Sequence, residues 1–393
     1  MDIHDSNTSD VADTIVWEAD PLVFNFHNEI PGKVKMHTRS LDLHNWVRID
    51  KTYPAQMVER RRLWSQYPDQ IFVSQTDESA EACKWELFET LVEYLPQRFP
   101  SIFERRSNSI YNKVLNEEIP IGRDDTMEDP LVRAGRLTQE DWVIIEWDEA
   151  EQGYKLTSGI VYFPMRWSLQ DKFQKGVAGI HMPVKPFMDH LVRHVYDVFK
   201  KMKPGNPLWR ANWAVFNDLD GPLDLYTPTG SESRNDENLT TVYEGDATGH
   251  VLTFRAEYQT LRKLPNTKCI VFGIRTYQRY LEEFKHLPVT DAQGLIKAVQ
   301  NLNDDFVMYK GARFWRDAAL KYLQQDCVNG RLEQQQQQSE PIMNGSVSLN
   351  NISSKGWFGV PTTTAAVSVS VFLGVAVVGV IVQRLLVGRA SWS

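Results

Sequence analysis

One histidine stands alone in the stretch GVAGIHMPVKPF, Gly176 to Phe187. His181 follows a run of small and apolar residues and precedes Met182 and Pro183. The small residues leave room for a large group to approach the backbone, and the proline fixes the chain just beyond. From the residues alone three roles stay open: a satisfied structural imidazole, a general base or a metal ligand. A second pair, His190 and His194, is spaced i, i+4 in FMDHLVRHVYDVF and would share one helix face. No HExxH pattern accompanies it, and a solvated helix flank accounts for the spacing as well as a metal does.

The charged residues that could act with His181 lie further on. In FRAEYQTLRKLP, Phe254 to Pro265, a strand would turn Arg255, Glu257 and Gln259 to one side and Phe254, Ala256 and Tyr258 to the other. Such a polar face is either solvated or the wall of a pocket. In a pocket, an arginine clamps a carboxylate and a glutamate receives a cation. Arg262 follows in the same block, and WRANW, Trp209 to Trp213, adds Arg210 and Asn212. A single imidazole beside an apolar pocket is also what a haem takes from its protein.

These residues need elements to hold them. In the first third, YPAQMVERRRLWSQYPD and EACKWELFETLVEYLPQRF place apolar residues at helical spacing; Trp85, Phe88, Leu91, Val92 and Leu95 form one face, and Pro96 is expected to end that helix. The middle and last thirds read as β-rich, with strands expected at residues 142–147, 158–163, 209–216, 250–255 and 268–276, and a helix at 187–201. The fold class expected is α+β: an antiparallel sheet with a helical N-terminal region. The stretch NDLDGPLDLYTPTGSESRNDENLTTVYEGDATG reads as a long surface loop.

Composition narrows the function. With 42% hydrophobic and 24% charged residues, most of the 393-residue chain can bury a core. A formal charge of -8 excludes a mainly nucleic-acid partner, which would need clustered Lys and Arg. The three cysteines, Cys83, Cys269 and Cys327, form no CxxC pair and are too few for a four-thiolate iron–sulfur cluster; they read as free thiols. Residues 1–30 read as a flexible acidic arm, 31–325 as the globular part, and 326–359 as a Gln, Ser and Asn-rich linker. Val360 to Val382 carries no charge and is long enough to cross a bilayer, so 360–383 is expected to be a transmembrane helix, with 384–393 a short basic tail. With no apolar leader at the N-terminus, this is expected to be a tail anchor that leaves the main domain cytosolic, on the endoplasmic reticulum or the mitochondrial outer membrane.

Six blocks occur in a telling order: QEDWVII (139–145), VYFPMRWSLQDK (161–172), GIHMPV (179–184), RANW (210–213), FRAEYQTLRKLP (254–265) and IVFGIRTY (270–277). With the earlier LDLHNWVRIDKTY and ERRRLW, they resemble the haem-dependent oxidative N-demethylase alpha-subunit-like family over roughly residues 41–284. Two positions depart from its pattern: Tyr258 stands where an arginine is usual, and Gln174 where a glycine often is. The resemblance implies a PAS-like fold with one haem b. His181 would be its axial ligand and metal contact, with Arg210, Arg255 and Arg262 at the cofactor, and Glu257 and Gln259 catalytic. It implies a haem monooxygenase that oxidises the N-methyl carbon of a small amine with O2, using electrons from a separate flavin or iron–sulfur reductase. The resulting hemiaminal would break down to amine and formaldehyde. A haem-binding gas or redox sensor, and a membrane-tethered interaction protein without catalysis, are the alternatives, because fold does not fix function.

Overall fold

The computed structural model describes residues 36–123, 128–164, 167–181, 191–216, 241–242 and 248–331. All of them belong to the first of two compact units, Met1–Glu340. The acidic arm, the span expected at 360–383 and the basic tail lie outside the described residues. Among the described residues no helix is long and apolar enough to cross a membrane.

Mixed helix and antiparallel sheet is what the chain forms. Seven strands run in the order β1-β8-β9-β10-β6-β7-β2: β1 (Arg39–Ser40), β2 (Phe72–Ser74), β6 (Glu140–Asp148), β7 (Gly153–Ile160), β8 (Leu208–Phe216), β9 (Thr253–Lys263) and β10 (Ile270–Tyr280). Every pairing is antiparallel. The period of two divides these strands between two cores. Val143, Phe272, Leu261 and Leu208 stand side by side on one face and belong to a smaller apolar cluster with Val177, Val195 and Phe199. On the other face Trp142 lies in the larger cluster, with Trp46, Leu91 and Leu323. Gly273 is required there: a Cβ would come within 2.7 Å of Trp142 Cζ3 and 2.8 Å of Thr260 Oγ1.

Helix α1 (Tyr53–Gln66) and helix α2 (Glu78–Arg98) precede the main strands. Asp77 caps α2 by accepting from Ser79 N and Ala80 N. Pro96 does not end α2: the helix runs on to Arg98 and closes with Phe99 N donating to Leu95 O. Glu86, on α2, accepts from Asn266 N and Thr267 N and so ties the helix to the β9–β10 turn.

Several elements differ from the sequence expectation. A separate three-stranded sheet, β3 (Phe103–Arg105), β4 (Ser109–Asn112) and β5 (Glu117–Pro120), lies in the third read as helical. The last third carries helices Val289–Gln300, Asp304–Tyr309 and Arg316–Tyr322 behind the strands. Thr248–Val251 is a helical turn where a strand was expected from His250; β9 begins at Thr253. β7 spans Gly153–Ile160, because Tyr162 N and Phe163 N leave the ladder to donate to Asp141. Helix begins among the described residues at Val192 in the segment expected helical from 187. At the far end, helical structure over Leu323–Asn329 runs four residues into the stretch read as linker, with Cys327 buried.

Candidate functional site

The polar residues of β9 meet partners from both neighbouring strands. The register places Asn212, Glu257 and Thr276 in one row across β8, β9 and β10. Arg210, Gln259 and Ile274 form the next row, and Ala214, Arg255 and Gln278 the row beyond. The alternation read in the sequence therefore holds, and it gathers Arg210, Arg255, Glu257 and Gln259 on one face with Asn212.

Glu257 is the centre of this wall. One carboxylate oxygen accepts from Arg255 Nε at 3.0 Å and lies 2.9 Å from Arg255 Nη2; the other accepts from Gln259 Nε2 at 2.7 Å and Asn212 Nδ2 at 3.1 Å. Four donors fill what a carboxylate can accept. Burial pushes its pKa upward, but the Arg255 charge and these bonds outweigh burial and hold it below the usual glutamate range. Arg255 is 2% exposed and also donates through Nη2 to Phe163 O at 2.7 Å. Its Nη1 is buried with no hydrogen-bond partner among the described residues.

Arg262 is not brought to this wall. It lies on the opposite face, its guanidinium 4.2 Å from the Trp46 ring centroid. Tyr258 shares that face, donating to Asn45 O at 3.1 Å and packing on Trp209. The departure at Tyr258 therefore falls away from the polar row. Gln174 has φ 59°, the left-handed region, which explains why a glycine suits its position.

His181 follows the helical turn α3 (Val177–Ile180). Val177 and Ile180 pack into the smaller core, on the sheet face that carries the polar wall. Its Nδ1 is 2.9 Å from Val177 O. A carbonyl can only accept, so Nδ1 carries the proton and the lone pair of the neutral ring is on Nε2. Burial pushes the ring's pKa down to about 4; the Val177 contact works against this, and the charges of Arg210 and Lys172 add to it. The ring is thus neutral at physiological pH. Lys172 Nζ donates to Ile180 O at 2.7 Å and steadies the turn. Among the described residues, a Cβ added at Gly179 would meet the Lys175 side chain at 3.6 Å, an ordinary contact. His194 is exposed on its helix, and His190 lies outside the described residues.

Among the described residues no three His, Cys, Asp or Glu side chains converge as a metal-binding group.

Residues 37–320 match the family described as haem-dependent oxidative N-demethylase, alpha subunit-like. The chain belongs to that family. The match covers α1, α2, every strand of the main sheet and the turn bearing His181. The family's description ties this N-demethylase-like protein to haem dependence and to oxidation at nitrogen-bound methyl groups. Two residues central to the wall's architecture, Arg60 and Asp141, have no assigned role in the sequence reading. They lie within ERRRLW and QEDWVII, and only the long-range contacts made through them give those blocks a physical meaning.

Proposed function

We propose that the chain is the haem-carrying, oxidising component of an N-demethylase acting on a small N-methylated amine. The observation that carries this reading is the neutral imidazole of His181, with Nδ1 committed to Val177 O, on the same sheet face as the buried Arg255–Glu257 pair. The donor set fits a haem b. His181 Nε2 would hold the iron, and the committed Nδ1–H would fix the tautomer and strengthen the ligand. Arg255, with Nη1 buried and unpartnered among the described residues, and Arg210 would supply positive charge for propionates. Arg262 is too far round the sheet to join them. When bound, haem supplies O2 activation and the redox chemistry.

The rest falls to the chain's own residues. Glu257, held ionised, is the acceptor for the substrate N–H, which would displace Gln259 or Asn212, the two neutral donors on that oxygen. Gln259 then has an amide free to bind the same nitrogen's surroundings and hold the methyl group in place. The net reaction takes amine, O2, two electrons and two protons to hemiaminal and water, and the hemiaminal releases formaldehyde. The electrons come from a separate reductase, since three cysteines cannot hold a four-thiolate cluster. The sheet is read as PAS-like, and the uncharged run at 360–382 as a membrane tether that keeps the domain at a cytosolic surface.

Formaldehyde release from candidate dimethyl and monomethyl amines, with haem-loaded protein and a surrogate reductase, tests the proposal. Amine-dependent turnover is expected in the native protein and a drop of at least about tenfold in Glu257→Gln, the size of one lost charge-assisted contact. Tight CO or NO binding without any turnover would favour a sensor instead.

A further inference from the structure

Four of the sequence blocks meet at one buried point. From ERRRLW comes Arg60, 1% exposed. Its Nη1 donates to Asp141 Oδ1 at 3.0 Å and to Gln139 O at 3.1 Å, Nη2 donates to Glu140 O at 2.7 Å, and Nε donates to Gly135 O at 3.4 Å. Its guanidinium also stacks 3.9 Å from the Tyr162 ring centroid. From QEDWVII comes Asp141, also 1% exposed, in the row of Gln259 and Ile274. Asp141 Oδ1 accepts from Tyr162 N at 3.0 Å and Oδ2 from Phe163 N at 3.1 Å. That pair of bonds turns VYFPMRW out of the β7 ladder. It also leaves the Phe163 carbonyl pointing at Arg255 Nη2, 2.7 Å away, in the block FRAEYQTLR. Arg255 then grips Glu257.

We propose that Asp141, held by Arg60, is a positioning residue: it fixes the Phe163 carbonyl that aims Arg255, and through Arg255 it sets the charge and direction of Glu257. The hydrogen bonds of Asp141 run to Arg60, Tyr162 N and Phe163 N, not to Glu257. Both of its oxygens serve backbone N–H groups, and Arg60 shares one of them, so a carboxylate is needed and an amide will not do. In either amide orientation an NH2 faces an N–H. The segment 162–163 must then move, and Phe163 O moves with it. The same segment leads into residues 167–181, so the node also joins the chain that bears His181 to the β9 wall.

The functional meaning rests on the reading that Glu257 faces the substrate, but the test does not. Protein labelled with 13C at the glutamate carboxyl carbon is titrated by NMR, with the Glu257 resonance assigned by its absence in Glu257→Gln. The charged groups that bear on Glu257 are Arg255 on its own strand, Arg210 on β8, and Asp141 through Arg255; Asn212 and Thr276 beside it are neutral. In Asp141→Asn the midpoint is expected to rise by about one pH unit or more, as the Arg255 contact loosens. Asp50→Asn serves as control, because it breaks a buried pair with Arg275 on the other face and should leave Glu257 where it was. If Asp141→Asn does not fold, Arg60→Lys keeps the cation and removes the fork, and a smaller rise in the same direction is expected. A Glu257 midpoint unmoved in the folded variant overturns the proposal. A protein that binds no haem would sink the functional reading and leave this result standing.

Discussion

Replacing Glu140 by glutamine should change how stability depends on pH. Glu140 lies on β6 opposite Arg275 and is 1% exposed. Oε1 accepts from Arg48 N at 2.8 Å, while Oε2 is buried without a hydrogen-bond partner among the described residues. Burial pushes its pKa from 4.5 up to about 7; the Arg48 N–H and the charges of Arg275 and Arg60 offset only part of this. Between those two values the native state holds a proton that the unfolded chain has released. Stability from this group is therefore full below pH 4.5 and is lost as pH rises towards 7. A difference of about 2.5 units at 1.36 kcal/mol each gives roughly 3 kcal/mol. For a domain on the order of 300 residues, with unfolding entropy of about 2 cal/mol/K per residue, that is about 5 °C in Tm. Glutamine can still accept from Arg48 N and cannot ionise. Thermal melts of both proteins from pH 5 to pH 8 should show the variant gaining about 5 °C on the native protein across that range. Asp141, also pushed upward by burial, is present in both and cancels. A Tm difference that stays constant from pH 5 to pH 8 would refute the reasoning.

Arg60→Met leaves Asp141 buried without its cation and should cost about 3–5 kcal/mol, seen as a Tm lower by roughly 5–8 °C at pH 7. A loss under about 1 kcal/mol would mean that the Asp141 node does not hold the β6 and 162–163 segments together. Gln174→Gly relieves a left-handed backbone and should raise stability by up to about 1 kcal/mol, after the larger entropy of glycine in the unfolded chain is set against it, as measured by urea unfolding at constant m.

The parts of the site that follow a short period were legible in the sequence. Arg255, Glu257 and Gln259 share a face because strands alternate, and β8 was read to within one residue because its aromatic residues bound it. The same arithmetic puts Arg262, an even number in a strand whose odd positions form the wall, on the Trp46 side, although the family resemblance had suggested a place at the cofactor. What the pattern could not convey is contact across long sequence separation. Arg60 reaches Asp141 and Phe163 O reaches Arg255 only after the sheet has formed, and neither pairing leaves a local signature. The small β3–β5 sheet was missed for a different reason: its strands have three or four residues, too few to display alternation. Pro96 was read as a stop, yet near a C-terminus it removes one hydrogen bond and the last turn still closes on Leu95 O. The thiols Cys83 and Cys269 sit together in the larger core, far apart in sequence, and both are free and buried.

An absorbance titration of the purified protein with haem is the most direct test of the central claim. The account predicts a Soret band that saturates at about one haem per chain, and its loss or marked shift in His181→Ala with secondary structure and melting unchanged. Saturable haem binding with an identical spectrum in His181→Ala would contradict His181 as the ligand, and no Soret band at all in the native protein would contradict the haem reading itself.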